Sequence, residues 1–147
     1  MCSKNGAQLA DGSELLFRQV RPTWFDDEGH PSSQNFRPGP LDDGCLSTDR
    51  DSTTTAHAAY NLFSAAKPAG FGGQSDGVWA VSLAEVHIVG LTAWEAPLAP
   101  EDGEPANPHH VAVEFGDLKN KPLKRAGDRL KVFAYTRGRL HPFGEPP

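Results

Sequence analysis

Glycine and proline cut this chain into short pieces. With fifteen glycines and thirteen prolines among 147 residues, irregular segments must take a large share of the length. Regular structure is left to the apolar runs between those breakers. The first is "ELLFRQV" (14–20), where Phe17 and Val20 suit a strand and Pro22 holds Arg21 extended at the exit. The following "TWFDDEGHPSSQNFRPGPLDDG" contains three prolines and reads as a long loop with a short strand at "QNF". Loops of this length inside compact domains are often functional.

In "DDGCLSTDRDSTTTAHAAYNLF" (42–63), "CLST" forms a short strand, and Asp51 or Ser52 is placed to accept the free amides of a helix start. Ala56, Ala59, Tyr60, Phe63 and Ala66 then recur at helical spacing, and Pro68 with "AGFGGQSDG" ends the helix. That glycine tract lacks the Lys-Ser/Thr of a phosphate loop and reads as a flexible connection. "GVWAVSL" (77–83) alternates as a strand does, and "EVHIVGL" continues the sheet after a turn or makes a short edge strand. "EAPLAPEDGEPANP" (95–108) is an acidic, proline-rich surface loop, and "HHVAVEF" (109–115) is a further strand. Asp117 caps a second helix carrying Leu123, Ala126, Leu130 and Phe133, with Pro122 in its first turn and Gly138 at its exit. Gly127 weakens that helix by roughly 1 kcal/mol relative to Ala.

This order predicts an α+β fold: a mixed, mainly antiparallel sheet with two helices and long Pro/Gly-rich loops. One domain spans 13–140, between a loose N-terminal segment (1–12) and a C-terminal tail (141–147). A net charge of −5 and a pI near 5.6 argue against nucleic-acid binding by bulk electrostatics. Cys2 and Cys45 form neither a disulfide framework nor a metal-ligand pair spacing, so a reduced, cytoplasmic protein is expected. The N-terminus lacks the apolar run of a signal peptide, and no stretch approaches the length of a membrane span.

Three polar features stand near strand ends. Arg18 either faces solvent from an alternating strand or offers a fixed guanidinium fork to phosphate or carboxylate at a cleft floor. Ser47 and Thr48 either satisfy the amides of the next helix or hold a sugar through short hydroxyl side chains. Glu114 is on the wet face of its strand or paired with a base such as arginine, because burying a lone carboxylate is costly. Phe36 and Arg37, between turn residues, stack on and clamp a nucleotide, or anchor the loop and pair with "LDDG". Neighbouring His109 and His110 point to opposite faces of a strand, and His57 has no second ligand a turn away, so no metal is expected. Cys45 reads as a structural thiol, and no Gly-x-Ser-x-Gly elbow is present.

An Arg on the first strand, a Ser-Thr strand ahead of a helix and a Glu on a late strand resemble ADP-ribosyltransferases of the Arg–Ser–Glu type. The small RES-domain toxins that degrade NAD are distantly similar. The resemblance implies that Arg18 and Thr48 bind NAD as substrate; Phe36 and Arg37 on the adjacent loop are read beside it, from their residue types, as further NAD contacts. It implies that Ser47 supports the nicotinamide ribose and that Glu114 helps to cleave the nicotinamide bond, within a bacterial conflict system. Asp49 stands where the commonest transferases carry a second serine, and Ala112 where they carry Gln or Glu. The rival reading is a non-catalytic interaction module, an accessory, immunity or adaptor protein. It would contact a protein partner through the 95–108 loop with Trp24, Phe25 and Trp94.

Overall fold

Strand pairing divides the chain's polar residues between two faces, and that division positions everything else. The computed structural model describes residues 4–40, 42–66, 75–100 and 105–142. Five strands, β1 (Leu15–Gln19), β2 (Cys45–Arg50), β3 (Val78–Ser82), β4 (Thr92–Glu95) and β5 (His110–Glu114), form one sheet. Its order is β3-β1-β2-β5-β4, and every pairing is antiparallel. Three helices, α1 (Ala56–Ala66), α2 (Leu83–Ile88) and α3 (Asn120–Arg137), complete a single α+β domain.

Residues opposite one another in antiparallel strands share a face. One face carries Leu16, Leu46, Trp79, Val81, Val111 and Val113, and packs with Ala126, Leu130 and Ala134 of α3 into the main core. Gly127 explains itself there. A Cβ at that position would come within 3.1 Å of the Arg37 Cβ and 3.2 Å of the Ser33 carbonyl, so its absence lets α3 lie against the 33–37 turn. The other face is half covered. Ala59 of α1, with Ala56 and Tyr60 beside it, packs on Phe17, Val78 and Ala80 at the β3–β1 side.

The two halves of the sheet are unequally joined. β1 matches β3 over five residue pairs, and β2 matches β5 over five. Between β1 and β2 only Leu16–Arg50 and Phe17–Asp49 are paired. An ion cluster clamps one end of this seam. Arg50 Nε donates to Glu14 Oε2 at 2.7 Å, one Nη to Glu14 Oε1 at 2.9 Å and the other to Glu95 Oε2 at 2.8 Å. Glu14 is 6% exposed, and the Arg50 fork holds its carboxyl below the usual carboxylate range. A bidentate pair of this kind is both strong and directional.

Both rims of the sheet are occupied. Along β4, Leu9 N–H donates to the Ala93 carbonyl and Gly6 N–H to that of Glu95, while Gln8 bridges Trp94. On β3, Val78 exchanges hydrogen bonds with Leu140 and His141, and Arg137 donates to the Ala80 carbonyl. The N-terminal segment expected to be loose is thus ordered where it borders β4, with Leu9 buried.

Several local expectations are corrected. "QNF" lies in a 3-10 turn, Ser33–Phe36, instead of a strand. Residues 83–88 form α2, because Ser82 and Glu85 close a reciprocal capping box that starts a helix. Thr55, not Asp51 or Ser52, accepts an amide of α1, since the Asp51 carboxylate takes the Leu15 N–H and Ser52 donates to Glu14. Lys119 stands at the α3 N-cap without a side-chain bond, so Asp117 is not the cap. Cys45 is disulfide-bonded, not a thiol. Most of the 69–77 glycine tract and residues 143–147 of the expected tail lie outside the described residues. Among the described residues no helix is long and apolar enough to cross a membrane.

Replacing Glu14 by Gln leaves the Arg50 charge half-paired, and the expected loss is about 2–3 kcal/mol in urea denaturation at pH 7. Glu14 has a lowered folded pKa, so its contribution is complete above its unfolded value of 4.5 and disappears as pH falls through the lowered one. The gap between wild type and Glu14→Gln therefore narrows below pH ~4. A constant gap from pH 7 to pH 3 would show that the carboxylate charge contributes nothing.

Candidate functional site

Beyond Phe17 and Asp49 the β1–β2 ladder stops, and main-chain groups lose their sheet partners. The Arg18 side chain fills part of the gap. Its Nε donates to the Asn35 carbonyl and its Nη1 to the Ser47 carbonyl at 3.0 Å. Asn35 is wholly buried and is itself fixed, with its amide donating to the Trp24 and Ser32 carbonyls and accepting from Arg21 N–H. Both acceptors of Arg18 are neutral. Among the described residues no carboxylate forms an ion pair with it, and burial together with the neighbouring Arg21 charge pulls its pKa down to about 10.

On the α1 side of the open seam lies a cavity of about 200 Å³, bordered by Phe17, Arg18, Gln19, Ser47, Asp49 and His110 of the sheet. Leu62 and Phe63 of α1 and Leu98, Pro105 and Asn107 of the β4–β5 connection also line it. Gln19 is 8% exposed; its Oε1 accepts from the Ser75 hydroxyl at 2.7 Å, and its buried Nε2 has no hydrogen-bond partner. Buried amide donors are seldom left this way.

Asp49 and His110 face each other across β2 and β5. Asp49 Oδ1 accepts from Asn107 Nδ2 at 2.8 Å, yet burial outweighs that bond and pushes the carboxyl above its usual range. Burial pushes the His110 imidazole down, favouring its neutral form. His110 Nδ1 sits 2.8 Å from the Ala96 carbonyl, which can only accept, so the ring proton is assigned to Nδ1 and the lone pair to Nε2. Serine, histidine and aspartate are thus all present, but among the described residues no hydrogen bond joins Ser47, His110 and Asp49. Among the described residues these three groups therefore form no hydrogen-bonded nucleophile–base relay.

The sequence-derived site divides. Arg18, Ser47 and Thr48 border one cavity, although the Thr48 hydroxyl is buried and donates to the Val111 carbonyl at 3.0 Å. Glu114 is elsewhere. Its pairing with Cys45 and Thr92 sets it on the α1 face, whereas the pairing of Arg18 with Trp79 sets Arg18 on the core face. Lys4 lies 2.7 Å from Glu114 Oε2 and holds its carboxyl below the usual range. The guanidinium and carboxylate of the Arg–Ser–Glu pattern therefore do not meet around a shared hollow. Phe36 is 1% exposed within the core and has no face to offer a nucleotide. Arg37 points a guanidinium nitrogen at the Ser33 hydroxyl and is not among the residues that line this cavity.

The aromatic residues of the interaction reading also separate. Phe25 packs against the α3-side core next to Trp24, while Trp94 pairs with Ala112 on the opposite face and lies under Lys4 Nζ. Among the described residues no group of three His, Cys, Asp or Glu could hold a metal ion. Compared with known protein families, curated proteins and solved structures, the chain matches none. The Arg–Ser–Glu resemblance thus rests on its own positions alone.

Gln19 and Asn107 were not singled out in the sequence, and Asp49 and His110 were weighed only as a departure from the Arg–Ser–Glu pattern and as a metal ligand. One signal was available: Arg18 and Gln19 are adjacent in an apolar strand, so each face must accommodate a polar side chain.

Asp49 tests the site's electrostatics. Its folded pKa is raised, so the carboxylate form opposes folding at neutral pH and the penalty vanishes as the group protonates in acid. Asp49→Asn retains an oxygen for Asn107. We expect it to melt higher than wild type at pH 7, with the difference closing toward pH 4. A lower melting temperature at pH 7 would contradict the assignment.

Proposed function

We propose that this chain is a small-molecule-binding domain whose ligand sits in the seam cavity. The observation that carries the reading is the preformed hollow itself, where apolar side chains of β1 and α1 stand beside polar groups of β2 and β5. Ligand pockets combine apolar walls with a few fixed polar groups, and this one has Phe17, Leu62 and Phe63 beside Gln19, Asp49 and His110.

Size narrows the reading. Sites for drug-sized ligands measure roughly 300–1,000 Å³, and this cavity holds about 200 Å³. A fragment-sized metabolite suits it better than an intact dinucleotide. With Glu114 engaged by Lys4, the geometry favours binding over cleavage of a nicotinamide bond.

A fragment screen by amide NMR tests the proposal. Binders are expected to shift the resonances of Gln19, Ser47 and His110 together. Leu62→Trp, which fills the hollow from α1, should abolish those shifts while leaving the remaining spectrum folded. If no fragment moves that group of resonances, or if Leu62→Trp binds unchanged, the cavity is not the site.

A further inference from the structure

We propose that the seam cavity takes a small organic cation, a protonated amine whose ammonium group lies between Asp49 and His110 and whose apolar body lies against Phe17, Leu62 and Phe63. The inference rests on the reading of the cavity as a ligand site and names the chemistry that the site selects.

Strand register brings the two polar residues together. Asp49 pairs with Phe17 across β1 and β2 and with His110 across β2 and β5. Directly opposed residues share a face, with Cβ atoms about 4.5–5.5 Å apart. Phe17 packs on Ala59 of α1, so the shared face is the one that α1 covers. Asp49 and His110 border the hollow on that face, and Leu62 and Phe63 of α1 line it with them.

Both residues offer open acceptors. Asp49 Oδ1 takes the Asn107 amide, but Oδ2 has no hydrogen-bond partner among the described residues. Unlike Gln19 Nε2, it is not one of the side-chain atoms that are both sealed and unpartnered, so it keeps accessible surface. His110 holds its proton on Nδ1 against the Ala96 carbonyl, which leaves the Nε2 lone pair. A carboxylate oxygen beside an imidazole lone pair can accept and cannot donate. An ammonium group brings three donors and a charge.

Charge favours the same ligand. Among the described residues two carboxylates are buried, Glu14 and Asp49. Glu14 is matched by the Arg50 guanidinium, whereas Asp49 has only the neutral Asn107 amide. Burial raises its pKa, and the His109 and His110 rings offset that only in part. Arg18 also borders the hollow, but its guanidinium belongs to the core face, where the Asn35 and Ser47 carbonyls take it. The costly carboxylate and the absent counter-charge have one cause, and a ligand cation removes it. Phe17, Leu62 and Phe63 set the rest of the molecule. A bare ammonium ion leaves them uncovered, whereas a single ring or short aliphatic body packs against them.

Four probes test this on the full chain at pH 7, with the Ser47, Asp49 and His110 amides followed: benzylamine, its neutral isostere benzyl alcohol, benzoate and ammonium chloride. Benzylamine is expected to bind about tenfold or more tightly than benzyl alcohol, and benzoate more weakly than either. Asp49→Asn keeps the side-chain shape and an oxygen for Asn107. It should erase the advantage of benzylamine and leave benzyl alcohol binding within twofold. That variant is expected to melt higher than wild type at pH 7, so its melting temperature separates lost binding from lost folding. Benzyl alcohol or benzoate binding as tightly as benzylamine, or an undiminished benzylamine advantage in Asp49→Asn, would overturn the cation while sparing the ligand site. Ammonium matching benzylamine would overturn the organic body. Failure of all four probes beside a successful fragment screen would likewise overturn only the cation. Failure of the probes and of the screen together would overturn both readings.

Discussion

Two halves of one sheet meet along a seam only two residue pairs long, and the rest of the molecule depends on how that seam is held. β1 brings β3 with it, and β2 brings β5 and β4. An arginine is installed at either end. Arg50 closes its end by pairing with Glu14 and Glu95, which tie β1, β2 and β4 into one unit. Arg18 stands at the other, open end, bonding to the Ser47 carbonyl of β2 and the Asn35 carbonyl of the 33–36 turn. The same side-chain type therefore performs two tasks, and the difference lies in whether carboxylates are within reach.

The open end explains why polar groups and apolar walls meet where they do. A regular ladder would have brought Gln19 and Ser47 into register and closed the floor of the hollow. Instead Gln19, Ser47 and Asp49 border a space roofed by Leu62 and Phe63. Asp49 is buried against its own electrostatic preference, and Gln19 lacks a donor's partner. Departures from polar satisfaction often mark functional positions.

Much of the architecture was legible in the sequence, for reasons of periodicity. Strand alternation located β1, β2, β3 and β5, and the spacing of Leu123, Ala126 and Leu130 located α3. α2 escaped because Val86 and Ile88 favour strands and the helix is six residues long; its signal was the Ser82–Glu85 capping box. The site was less accessible. Arg18 and Ser47 were recognised as polar residues at strand ends, and they do border one cavity. Glu114 was grouped with them because a strand's phase relative to its neighbours cannot be read from one sequence. Its actual partner, Lys4, lies 110 residues away along the chain. Asn107 and Asp49, separated by 58 residues, were equally invisible as a pair.

The occupied rims carry a consequence for association. Gly6 and Leu9 already use outward groups of β4, and Leu140, His141 and Arg137 use those of Val78 and Ala80 on β3. An incoming extended peptide, from a partner or a second copy, would have to displace chain that is bound there before it could extend the sheet. Recognition of another macromolecule is thereby steered to helix surfaces and connecting segments, and the ordered flanks double as guards against fibre-like stacking.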